Sequence, residues 1–180
     1  MLNIALVGPM GSGKTTVGRV LSSQLGYQFI DVDQYVEKKA EKSIPEIFSS
    51  DGEDAFRQLE SEALIEILQG SAAIISCGGG IVLREENRKA LKQKAFVVYL
   101  KAEPSELFVR VGNTADKRPL LNVSNPKVEI DRLLKEREPL YQDVADLVVD
   151  TTGKNLDEVV ESIIEVVEAR KPRECKKINR

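Results

Sequence analysis

The sequence predicts an α/β fold, a central parallel sheet of five strands flanked by helices. Apolar runs of strand length alternate with longer segments of helical period, the pattern of repeated strand–helix units whose strands run parallel. At 180 residues, 42% hydrophobic and 31% charged, the chain has a globular composition and the length of one hydrophobic core. No internal repeat or low-complexity tract argues for a solenoid or a second domain.

The first strand is residues 2–7, after which Lys14–Leu25 carries Val17, Val20, Leu21 and Leu25 on one helical face. Gly26 stands where that helix is expected to stop. A short second strand covers 29–31. A second helical stripe, 54–68, presents Leu59, Ala63, Leu64, Ile67 and Leu68. Strand Ala73–Ser76 runs into three glycines, strand 96–100 is rich in branched and aromatic residues, and 147–149 is the last strand. Residues 156–167 form the final helical stripe. Between them, 112–125 holds glycine, proline and asparagines around Arg118, with little periodic burial, and reads as a mobile loop. The basic stretch 171–180 reads as a frayed, solvated tail.

Composition excludes several classes of function. A net charge of −3 and a pI near 5.3 give no global field for nucleic acid or an anionic membrane. There is no histidine, which removes serine–histidine and cysteine–histidine triads and imidazole metal sites. Cys77 and Cys175 form no CxxC pair and are expected to be free thiols. The first strand begins directly after Met1, leaving no room for a leader, and no run approaches a membrane span, so the expected location is cytoplasmic.

Gly8-Pro9-Met10-Gly11-Ser12-Gly13-Lys14-Thr15 has the phosphate-loop spacing, Gly, four residues, Gly-Lys-Ser/Thr, between the first strand and the first helix. Glycines at 11 and 13 let backbone amides, with that of Ser12, turn toward phosphate oxygens beside a helix N-terminus. Lys14 supplies a point charge at the β- and γ-phosphates, Thr15 a hydroxyl for magnesium, and Thr16 a contact for the α-phosphate. The implied cofactors are ATP and Mg²⁺. The string Asn113-Thr114-Ala115-Asp116 lacks the lysine of a guanine-reading segment, which disfavours a GTPase. Ala73–Ser76 also ends without an aspartate for the metal's water shell. Asp31, at the carboxyl edge of the sheet, is the expected substitute.

Asp33, two residues on, is expected to lie on the same side of an extended segment and to accept a substrate hydroxyl's hydrogen bond and proton; capping a helix that starts at Gln34 is the alternative. Gly78, Gly79 and Gly80 imply either ligand contact or a tight turn. Arg57, Arg110, Arg118 and Arg137 taken singly read as solvated helix residues.

Together these residues resemble the shikimate kinases. The resemblance rests on Asp31-Val32-Asp33, on Phe56-Arg57-Gln58-Leu59-Glu60, on Gly78 to Gly80 leading into Ile81-Val82-Leu83, on Arg118-Pro119-Leu120-Leu121, and on Arg137-Glu138-Pro139-Leu140-Tyr141 ending a helix, all in family order. It implies a three-layer P-loop kinase fold over 1–170, with substrate-binding helices at about 33–62 and a lid at about 112–124. It also implies a monomer acting on shikimate and ATP in aromatic amino-acid (chorismate) biosynthesis. By the same resemblance Asp33, Arg57, the triple glycine and Arg137 hold shikimate. Lys14, Asp33 and Arg118 carry catalysis, Arg110 stacks on adenine and Lys154 lies near it. A gluconate or nucleoside monophosphate kinase shares the ATP half; a nucleotide-dependent regulatory module is the rival of another class.

Overall fold

The computed structural model describes residues 2–112 and 125–170. Strands β1 (Asn3–Val7), β2 (Gln28–Asp31), β3 (Ala73–Ser76), β4 (Ala95–Lys101) and β5 (Leu147–Asp150) form one sheet in the order β2-β3-β1-β4-β5, every pair parallel. The helices are α1 (Lys14–Leu25), α2 (Val32–Ala40), α3 (Ile44–Ser50), α4 (Gly52–Ile67), α5 (Glu85–Lys94), α6 (Pro104–Gly112), α7 (Pro126–Val144) and α8 (Leu156–Arg170).

Strand side chains alternate between faces, so β1 feeds two cores at once. Ile4 and Leu6 pack with Val17 and Leu21 of α1 and with Val159, Val160 and Ile163 of α8. Ala5 and Val7 face the other way, onto Ala63, Leu64 and Ile67 of α4, Leu91 of α5 and Val144 of α7. The result is three layers. Burying a Leu- or Ile-sized side chain contributes about 1.5–3 kcal/mol, so this two-sided burial outweighs helix propensity in holding the helices. Asn3, buried at the start of β1, bonds Gly70 O (3.0 Å) and Ala73 N (3.2 Å), tying the entry of β3 to the central strand.

The five strands lie where the sequence places them, to within one or two residues, and α1 stops at Gly26, whose φ of 69° gives the left-handed cap. Asp33 is a correction. Helix α2 already begins at Val32, with Asp31 as its N-cap, so Asp33 occupies the first helical turn and neither extends β2 nor caps a helix at Gln34. Helix α7 likewise runs past Tyr141 to Val144. Gly112 closes α6 and Asn125 caps α7; the rest of the expected lid, including Arg118, and the tail 171–180 with Cys175 lie outside the described residues. Among the described residues no helix is long and apolar enough to cross a membrane.

Helix α1 presses close to the sheet at Gly18, where an added methyl group would stand 2.6 Å from the Phe29 ring and 3.3 Å from Leu6. Gly18→Ala gains up to about 1 kcal/mol of helix propensity against about 1–3 kcal/mol of overpacking. A net loss of about 1–2 kcal/mol is expected in denaturant unfolding; a gain in stability would contradict this packing.

Candidate active site

The carboxyl ends of β1, β2 and β3 meet at one edge, because Ser76 is in register with Leu6 on one side and with Asp31 on the other. The chain leaves β1 at Val7 and turns through the glycine-rich loop into α1. Gly11 and Gly13 have φ of 79° and 90°, a region in which a side chain is strained, and Gly13 caps α1 without a side-chain hydrogen bond. The first amides of α1 therefore face the cleft with no side chain of the cap to satisfy them. Lys14 Nζ curls back onto Gly8 O (2.9 Å) and Pro9 O (2.8 Å).

Thr15 Oγ1 donates to Asp31 Oδ2 at 3.0 Å and lies 3.3 Å from Ser76 Oγ, while Asp31 Oδ1 caps α2. The strand edge thus sets a carboxylate and a hydroxyl side by side, next to the phosphate loop.

A cleft of about 650 Å³ joins this edge to α3, α4 and α7. Asp33 reaches it from α2. Burial pushes the Asp33 carboxyl up to about 6, Glu60 and Asp31 add to the rise, and Lys14 and Arg57 oppose it. On α4, Arg57 donates to Glu60 Oε2 (2.8 Å) one turn along and to Glu53 Oε1 (3.1 Å) one turn back, with side-chain exposures of 8% for Arg57 and 1% for Glu60. Burial raises the Glu60 carboxyl and Arg57 beside it draws it down. Asp33 Oδ1, Glu60 Oε1 and Arg137 Nε are shielded from solvent without a hydrogen-bond partner among the described residues. All three belong to residues that line the cleft, where a polar ligand can partner them.

The triple glycine fits these side chains. A Cβ at Gly78 would lie 2.5 Å from Glu60 Oε1 and 2.8 Å from Asp33 Oδ1; one at Gly80 would lie 2.2 Å from Arg57 Nη1. Glycine at 78 and 80 leaves room for the site's own charged groups, a reason beyond both ligand contact and a bare turn. At Gly79 the nearest atoms stand at 3.6 Å or more.

Of the expected residues, Gly11, Gly13, Lys14, Thr15, Thr16, Asp31, Asp33, Arg57, Gly78, Gly79, Gly80, Arg110 and Arg137 all line the cleft. Ser12 does not. It is 1% exposed and packed inside the loop. Arg110 reaches the rim from α6, held by Glu106 and by Thr151 Oγ1 at 3.3 Å. Lys154, on an exposed turn after β5, is not on the wall of the cleft. Cys77 is a buried free thiol that burial pushes up, so it stays neutral. Sequence reasoning missed the role of Glu60, although its spacing of three from Arg57 on a helix was a usable signal. It also missed the apolar wall of Ile44, Phe48 and Phe56, and Tyr141, whose hydroxyl donates to Gly79 O.

The family model for shikimate kinase matches residues 10–168. A shikimate kinase of Marinomonas sp. (strain MWYL1) is 41% identical over 167 residues, covering 92% of this chain and 91% of that protein. One from Thermodesulfovibrio yellowstonii is 44% identical over 168 residues, covering 93% and 96%. Among solved structures, shikimate kinase from Acinetobacter baumannii in complex with shikimate superposes with a TM-score of 0.91 at 39% identity, covering 95% of each chain.

The glycine geometry leads to a stability test. Gly80→Ala drives Arg57 off Glu60 and leaves a buried, unpaired carboxylate, an expected loss of about 2–4 kcal/mol at pH 8. A carboxyl raised in the folded state is relieved by protonation, so the loss shrinks as pH falls toward 5. Gly79→Ala is expected to lose less than about 1 kcal/mol at either pH. Equal losses in the two variants would contradict the account.

Proposed function

This chain belongs to the shikimate kinase family, and from that premise we propose how its residues divide the work of an ATP-dependent kinase. The reaction moves the γ-phosphoryl group of ATP to the 3-hydroxyl of shikimate, giving shikimate 3-phosphate and ADP, in aromatic amino-acid (chorismate) biosynthesis. One observation carries the division: Asp33 and Arg57 meet the triple glycine, and Arg137 lines the same cleft as they do and as the phosphate loop does.

At the loop, backbone amides of Gly11 and Gly13 and the start of α1 hold the triphosphate, while the Ser12 amide stays on Pro9 O inside the loop; Thr16 meets the α-phosphate, and Arg110 packs against adenine. Lys14 exchanges the carbonyls of Gly8 and Pro9 for the β- and γ-phosphate oxygens, a stronger, charge-assisted set of partners. The paired Thr15 hydroxyl and Asp31 carboxylate fit magnesium, which takes few protein ligands and keeps its waters: Thr15 would hold the ion and Asp31 its water shell. When bound with the nucleotide, magnesium supplies neutralising charge to the phosphates. Arg118, outside the described residues, keeps the place the family resemblance gives it at the γ-phosphate. Lys154 keeps only a loose placement near adenine.

In the acid pocket, Arg57 and Arg137 face the carboxylate of shikimate as guanidinium forks, with Glu53 and Glu60 fixing the first of them. Asp33 accepts the 3-hydroxyl's hydrogen bond. As that oxygen bonds to the γ-phosphorus and the bridge to the β-phosphate breaks, the hydroxyl proton passes to Asp33 and ADP leaves with the bridging oxygen. Positioning and electrostatics supply most of the rate. We place the enzyme in the cytoplasm as a monomer, a single domain over 1–170 with 171–180 as a basic tail.

ADP release measured with a panel of acceptors tests the reading: shikimate is expected to drive release, and gluconate and nucleoside monophosphates are not. Because Asp33 must be ionised, kcat/KM for shikimate is expected to fall as pH drops below about 6. Asp33→Asn removes that pH dependence and lowers kcat by about a hundredfold or more while leaving nucleotide affinity unchanged. A raised folded-state carboxyl weakens the fold once ionised, so the same variant is expected to be more stable at pH 8 by on the order of 1–2 kcal/mol. Release independent of shikimate, or full activity in Asp33→Asn, would overturn the assignment.

A further inference from the structure

Three successive carbonyls of the glycine segment are held in two different ways. Gly78 O accepts from Ile81 N (3.1 Å) and Gly80 O from Leu83 N (3.0 Å), both inside the 3-10 turn Ile81–Leu83 and its entry. The middle carbonyl, Gly79 O, accepts from the hydroxyl of Tyr141, which comes from the distant helix α7. A peptide unit is planar, so holding the Gly79 carbonyl also sets the direction of the Gly80 N–H on its far side.

Tyr141 is 1% exposed and its ring stacks on Tyr99, with centroids 5.1 Å apart. Arg137 sits one helical turn earlier on α7, and its guanidinium interacts with the same phenol, opposing the upward push of burial, which brings the hydroxyl to about 12. The phenol therefore remains a donor throughout the physiological range. One hydroxyl is thus bonded to the Gly79 peptide and electrostatically coupled to the Arg137 guanidinium.

We propose that Tyr141 is a positioning residue for the acid pocket: its hydroxyl, bonded to Gly79 O and set against Arg137, locks the glycine segment and the guanidinium into one geometry. This rests on the shikimate kinase reading above. The function of the link is acceptor affinity, because the Gly79–Gly80 peptide and Arg137 both face the acid pocket. The packing of the ring on Tyr99 is separable from it.

Tyr99 supplies the control. Its hydroxyl, in the same stack, has no hydrogen-bond partner among the described residues, so Tyr99→Phe removes a phenol oxygen from the core without touching the glycine segment. Steady-state kinetics with purified wild type, Tyr141→Phe and Tyr99→Phe, alongside thermal unfolding, test the idea. Loss of one net hydrogen bond in Tyr141→Phe is expected to raise KM for shikimate about three- to tenfold, with KM for ATP unchanged within about twofold and the midpoint of unfolding little moved. Tyr99→Phe is expected to behave as wild type in both KM values. An unchanged shikimate KM in Tyr141→Phe overturns the proposal, and so does a variant that fails to fold or loses affinity for ATP and shikimate equally, because the hydroxyl then serves the core alone. Failure of the wild type itself to act on shikimate would instead sink the underlying functional reading.

Discussion

Asp33, Glu60 and Arg57 occupy the space that methyl groups at Gly78 and Gly80 would fill, and the acid half of the cleft depends on that substitution of charge for Cβ. The distances leave no slack: 2.2 to 2.8 Å separates those methyl positions from the guanidinium and carboxylate atoms. A buried ion pair such as Arg57–Glu60 contributes little net stability, since desolvation offsets most of its attraction. Its placement is explained by geometry rather than by stability. Glu60, fixed on the same helix, holds Arg57 toward the cleft while Glu53 takes the outer side of the fork. The polar atoms left unpartnered at Asp33, Glu60 and Arg137 are what such an arrangement leaves for a ligand.

The nucleotide half rests on a different device, the parallel register of β2, β3 and β1. Parallel strands end on one side, so the phosphate loop after β1, Asp31 at the end of β2 and the glycine segment after β3 share one edge without any long connection. Gly79 lies between the two halves, its methyl position 3.6 Å from Met10 N of the loop and 3.7 Å from the Tyr141 hydroxyl. The side of the cleft lined by Arg57 and Arg137 thereby adjoins the phosphate loop, the proximity that the proposed transfer requires.

Much of this was legible in the residues. Strand positions and the Gly26 stop follow from apolar runs and from the left-handed cap, both local signals. The phosphate loop was legible because its chemistry demands fixed residue types at fixed spacing. Asp33 was not. Asp31 caps α2 with its own side chain, so the helix starts earlier than an extended reading allows, and the first turn rather than a strand aims Asp33 at the cleft. The strand order, the apolar wall and the link from Tyr141 to Gly79 are long-range results of packing, and no periodicity in the chain encodes them. The triple glycine was visible as a signal, yet its cause lies in side chains from α2 and α4.

If one cleft holds a nucleotide and a hydroxylated acid at adjoining, separate places, both must bind at once. Calorimetric titration of a non-hydrolysable ATP analogue with magnesium, into free protein and into protein saturated with shikimate, tests it most directly. One nucleotide per chain is expected in both titrations, a ternary complex. Exclusion of the nucleotide by shikimate would contradict it.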